Sequence, residues 1–169
     1  ELSRRGLASA QAALLTALSG GSLGRALAME PEELFRQRQQ ALTDLEDLVQ
    51  GNTTVALDWA QRLAKKEKKD SDADGKKEGK GKKGQETDNF ILFTQLWHRD
   101  LLLLAFGAPE RLVAHRDRLA ELQAEAAPRR PDLWLEKLAA LSAAQRHLRA
   151  NLNPELTLDL LGRRLQKKA

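Results

Sequence analysis

Three histidines, 24 side-chain carboxylates and no cysteine bound the chemistry open to this chain. His98, His115 and His147 stand on separate segments, none with a second ligand at the short spacing a zinc site uses. Without cysteine there is no disulfide framework, no thiolate nucleophile and no sulfur-based metal site. The run Gly20-Gly21-Ser22-Leu23-Gly24 is rich in glycine but lacks the lysine of a phosphate-binding loop. No spacing of serine, histidine and acid sets a nucleophile beside a base. These residues therefore point to an interaction module with no catalytic site, metal or cofactor of its own.

Two charged residues stand out by position. Ser22 is placed to cap a short helix from Leu23 to Met29, which puts Arg25 in its first turn. A cation there opposes the helix dipole, so Arg25 either serves something outside the helix or is an ordinary exposed arginine. Asp100 falls in the middle of an apolar arc, where a carboxylate must be paired or must accept backbone N–H groups.

Helices must do the positioning. Leucine and alanine dominate, charged residues reach 31 % and aromatics only 4 %. No segment alternates with period two, so an all-α helical bundle is expected. Its centre is Asn89 to Gly107, where Leu92, Leu103, Leu96, Phe93, Leu104, Trp97, Phe90 and Leu101 fall on one arc covering about half the helix. That stretch is long enough to cross a bilayer, but His98-Arg99-Asp100 at its midpoint would be costly in lipid, so a core helix is expected instead.

Around it the spacing predicts helices over residues 3–18, from Pro31 to about Gln50, from Thr53 to about Lys65, from Glu110 to Ala126, and from Leu133 to about Ala150 with Asp132 as N-cap. The last helix has Asn153 as N-cap, Pro154 at its first position and Glu155 in its first turn. Leu156, Leu158, Leu160, Leu161 and Leu165 spread around more than one face of it. Some should stay exposed, rimmed by Arg163, Arg164 and Lys167, as at a protein contact surface.

The net charge of +4 invites a nucleic-acid partner, but Lys65 to Asp88 alone supplies +2 of it, with nine lysines against seven acids. That stretch has no large apolar residue and is expected to be a disordered linker. Mixed charge without interleaved aromatics gives little phosphate affinity. Arg4-Arg5, Arg129-Arg130 and Arg163-Arg164 are the compact basic pairs outside it. The start, Glu-Leu-Ser-Arg-Arg, has no features of a signal peptide and reads as a cut from a longer protein; with no cysteine, a cytoplasmic location is expected.

Three segments carry a family resemblance. Leu18-Ser19-Gly20-Gly21-Ser22-Leu23-Gly24-Arg25-Ala26-Leu27 resembles the end of the AAA+ lid in bacterial DNA polymerase III delta prime subunits, where a GSxGRAL-type segment carries the sensor 2 arginine. Trp97-His98-Arg99-Asp100-Leu101-Leu102 is similar to that family's W-x-R-D-L-L segment, and Asn151 to Leu161 to its closing N-x-N-x-x-L-x-L-E-x-L-L helix, with Asp159 in place of the usual Glu. His115 stands where the family would suggest Asn, and the lysine-rich insertion is not a family feature.

The resemblance implies that residues 1–29 end an AAA+ lid and 30–169 form the helical collar, with 65–88 as the charged linker within it. A collar holds the clamp loader together; that ATP-driven pentamer places the sliding clamp on primed DNA for replication. Its partners would be the delta and gamma/tau subunits. ATP would belong to the full complex, with Arg25 as the one nucleotide-facing position in this segment. Trp97, Arg99, Asp100, Asn153, Leu156, Leu158, Leu161 and Leu165 would be the structural and interface positions. The collar of the related gamma/tau subunit and an unrelated helical DNA-binding module are the alternatives.

Overall fold

Prolines and asparagines mark where the helices begin. The structure, a computed structural model, describes residues 9–20, 22, 24, 30–72, 85–127 and 130–166. Its helices are α1 (Ser9–Leu18), α2 (Pro31–Gln50), α3 (Thr53–Asp72), α4 (Gln85–Ala105), α5 (Leu119–Ala126), α6 (Pro131–Arg149) and α7 (Pro154–Leu165). Two 3₁₀ turns, Glu110–Leu112 and Arg116–Arg118, lie between α4 and α5. There is no strand among the described residues, and the described fold is all-α.

Pro31, Pro131 and Pro154 each take a first helical position, where the missing N–H costs nothing. Asn52 Oδ1 accepts the N–H groups of Thr54 (3.0 Å) and Val55 (3.2 Å) at the start of α3. At the other ends, Gly107 (φ 71°) and Asn151 (φ 56°) turn left-handed after α4 and α6. Each closes its helix with paired bonds: Ala108 N–H to Leu103 O and Gly107 N–H to Leu104 O, then Leu152 N–H to His147 O and Asn151 N–H to Leu148 O.

Three boundaries differ from the sequence expectation. Helices take both ends of the charged stretch: α3 runs on to Asp72 and α4 starts at Gln85. Lysine and glutamate are good helix formers, so a helix nucleated by the apolar first half of α3 can run on into the charged stretch. Residues 73–84 lie outside the described ones, as do 1–8 and 25–29, which include Arg25 and the proposed end of the lid. At α6, Pro131 rather than Leu133 opens the helix. Asp132 is therefore inside the first turn, and it bonds the Arg130 guanidinium (3.0 Å) instead of capping.

The helix expected over Glu110 to Ala126 breaks into two 3₁₀ turns and the short α5. The cause is a side chain on another element. The Asp100 carboxylate takes the N–H groups of Ala114 and His115, both at 3.0 Å, which an α-helix would direct to its own carbonyls.

The chain forms two compact units, Glu1–Arg36 with Leu96–Leu135, and Gln37–Gln95 with Glu136–Ala169. In the second, Leu48 of α2, Trp59 and Leu63 of α3, Phe90 and Phe93 of α4, Leu141 of α6 and Leu158, Leu161 and Leu165 of α7 are buried. Trp59 and Phe90 pack ring against ring at 4.7 Å. Asp44, nearly buried, accepts from Arg62 (2.8 Å) and Gln40 (3.0 Å), and Arg62 also faces Glu86 at 3.6 Å, so one arginine ties α2, α3 and α4 together. In the first unit the buried residues include Leu14 and Leu15 of α1, Trp97 and Leu101 of α4, Val113, Leu122 and Trp134.

The buried face of α4 is turned from the expected arc by about 80° at 100° per residue. Ile91, Thr94 and His98 are buried, while Leu92 is exposed. Polar residues can lie inside when they have partners. His98, for one, packs against the Trp134 ring with centroids 6.0 Å apart.

Candidate functional site

The segment Trp97 to Asp100 gathers a loop around itself. Asp100 is fully buried, and its Oδ2 accepts from Ala114 N, His115 N and His115 Nδ1, the last at 2.9 Å. A carboxylate on Nδ1 places the neutral ring's proton there and leaves Nε2, also buried, without a hydrogen-bond partner. Trp97 meets the His115 ring edge-on at 5.4 Å and donates its indole N–H to Glu125 at 3.0 Å. The Arg118 guanidinium lies 5.1 Å from the Trp97 ring centre.

Breaking the helix at this loop frees carbonyls, and arginines collect them. Arg99 donates to Leu112 O (3.1 Å), and Arg116 donates to Val113 O (3.2 Å) and to Arg111 O. Trp97, Arg99 and Asp100 thus act together as a clasp on residues 112–115. An imidazole oriented by a carboxylate has the form of a general base, but His115 is wholly buried and can reach no substrate. Its part is structural.

The second cluster is α7. The Asn153 side chain accepts the Leu156 N–H at 3.2 Å, and Pro154 follows at the first position. One side of the helix packs on α3: a Cβ built at Gly162 would lie 3.0 Å from the Ala56 Cβ, so the two helices approach closely. Leu158, Leu161 and Leu165 fill the core beneath. Of the expected interface leucines these three are internal and present nothing to a partner.

The opposite face is open. Leu156 is 69 % exposed and Leu160 51 %, and Leu152, in the turn before the cap, is half exposed. The spacing of four residues between Leu156 and Leu160 makes one apolar stripe on the helix. Arg163, paired with Asp159 at 2.9 Å, and Arg164 rim it; Lys167 lies outside the described residues. Leu152 precedes the cap and so escapes a reading by helices.

The remaining expected site residues divide cleanly. Arg25 and the basic pairs Arg4-Arg5 and Arg129 lie outside the described residues, and Arg130 is engaged with Asp132. The hydrogen bonds from Arg130 hold the Asp132 carboxyl below its ordinary range. Among the described residues no three His, Asp or Glu side chains group as a metal site would need. Likewise no described helix is long and apolar enough to cross a membrane. In comparisons with protein-family models, curated proteins and solved structures, the chain matches none.

Proposed function

We propose that this chain is the C-terminal oligomerisation region of a clamp-loader subunit of the bacterial DNA polymerase III delta prime type, working by contact rather than catalysis. The observation that carries the proposal is the leucine stripe on α7. Leu156 and Leu160 line a face that its own core leaves uncovered, on a helix whose other face is firmly packed, and Leu152 is half exposed just before the cap. An exposed apolar row with an arginine rim is the composition of a protein interface. The likeness of Leu18 to Leu27, Trp97 to Leu102 and Asn151 to Leu161 to delta prime segments supplies the identity of the partners, the delta and gamma/tau subunits. In that setting the clamp, primed DNA and ATP are met through the full complex in the cytoplasm. The gamma/tau collar is less well supported, because Gly21-Ser22-Leu23-Gly24-Arg25-Ala26-Leu27 suits the delta prime pattern better.

The test substitutes the stripe and spares the core. Truncation after Asn153 would remove Leu158, Leu161 and Leu165 together with the interface and would confound folding with binding. Leu156→Glu with Leu160→Glu should instead abolish co-purification with the delta and gamma/tau subunits of the same source, while the melting temperature stays within a few degrees of the parent. Undiminished association by a folded double variant would remove α7 from the interface.

A further inference from the structure

The open face of α7 carries both signs of charge in a fixed order. Glu155 stands in the first turn, Asp159 in the middle, and Arg163 and Arg164 in the last turn. Arg163 is bonded to Asp159 at 2.9 Å, while Glu155 and Arg164 have no charged partner among the described residues. Two acids against two bases leave the face neutral, so net charge selects neither an anionic nor a cationic partner. The order of the charges does select a direction. Glu155, Asp159 and Arg163 are four residues apart and line one edge of the leucine row, Arg163 falling about 20° around the helix from Leu156.

A helix laid antiparallel on this face meets the order reversed, and a second α7 has the reversed order to offer. With a two-fold axis at the level of Leu158, Leu156 of each copy meets Leu160 of the other. The same edge of both helices then comes together, and Glu155 of each copy lies within about 3 Å, along the axis, of Arg163 of the other. Each contact occurs twice, which is what an isologous interface requires.

We propose that this chain pairs with a second copy of itself through α7, antiparallel, with Leu156 on Leu160 and Glu155 on Arg163. Two leucines a side fall well short of the roughly 1,200 Å² that a stable interface buries. The dimer is therefore a weak one, micromolar or looser. The inference rests on the proposed function in taking this face for a contact surface, and adds a second occupant to it. Both occupants need the same leucines, so self-pairing covers them until a clamp-loader subunit takes its place.

Sedimentation velocity of the whole chain over a concentration series tests the proposal, and should show a reversible monomer–dimer equilibrium. Leu156→Glu with Leu160→Glu should leave monomer at every concentration. Glu155→Lys alone and Arg163→Glu alone should each weaken pairing about tenfold, because like charges then meet twice. An equimolar mixture of those two variants should regain the parent's affinity, since each reversed charge then faces the other. These side chains lie on or beside the open face, so circular dichroism should show the parent's fold in every variant. A parent chain that stays monomeric at the highest concentration would overturn the proposal, as would a mixture no tighter than either variant alone. Dimers that survive the double glutamate substitution would overturn it too, by placing the contact elsewhere. Co-purification with the delta and gamma/tau subunits is scored separately. A monomeric chain that still captures them refutes self-pairing alone, and a dimer that ignores them refutes the functional reading alone.

Discussion

Asp100 shows how one residue can decide the path of a chain. Three donors converge on its Oδ2: two backbone N–H groups and the His115 ring. Asp100→Ala would leave all three buried without an acceptor, and a buried group so orphaned costs more than the bond it made. The loss should be about 3–5 kcal/mol in denaturant melts, since each buried donor left without an acceptor costs about 1–3 kcal/mol. Asp100→Asn should cost less, because an amide oxygen can still receive the backbone pair while its NH₂ turns from His115. A cost for the alanine variant of less than about 1 kcal/mol would class Asp100 with surface positions. That Asp100 is buried and paired was legible from its place on an apolar arc. Its partners were not, since they lie 14 and 15 residues on, in a segment whose helical spacing pointed elsewhere. The same distance hid His115: an isolated histidine carries no mark of the carboxylate it will meet.

Among the elements, two whose ends are written in proline, glycine and asparagine came out where the spacing put them; α2 runs from Pro31 to Gln50 and α7 opens at Pro154 behind its Asn153 cap, whereas α6 opens two residues early, at Pro131. The segment from Glu110 to Ala126 did not, because its helix competes with Asp100 for the same N–H groups. The face of α4 also escaped, since apolar residues lie nearly all around it and only neighbours decide which are covered. Close helix packing is a further property that single segments do not reveal. Gly162 faces Ala56, whose Cβ is fixed to its own backbone and cannot swing away. Alanine at 162 would gain about 1 kcal/mol of helix propensity. A larger side chain must instead part the helices, at about 1–3 kcal/mol, so the overlap wins. Gly162→Leu should therefore destabilise by about 2 kcal/mol. Ala56→Gly in the same chain should recover part of the loss, with a coupling above about 0.5 kcal/mol in a double-mutant cycle. Strict additivity would mean the helices part at no cost and the contact is not a constraint.

For the molecule as a whole, composition announced the all-α class, and the absence of alternation excluded sheets. The division into two compact units was not announced. A continuous apolar run such as Asn89 to Gly107 reads alike whether its two halves join one cluster or, as here, fall either side of Gln95. Charge can be apportioned more firmly. Residues 73–84 hold five lysines against two acids, so replacing them by a glycine-serine run of equal length takes the net charge from +4 to +1. Their only apolar side chain is Ala73, which leaves almost nothing to bury against either unit. The replacement should therefore change unfolding free energy by less than about 0.5 kcal/mol, as surface changes do. It should also leave association through Leu156 and Leu160 intact, because an apolar stripe associates by burying apolar area, which a change of net charge leaves in place. A loss of stability above about 1 kcal/mol would show instead that the lysine-rich run is held against the folded surface and belongs to the architecture.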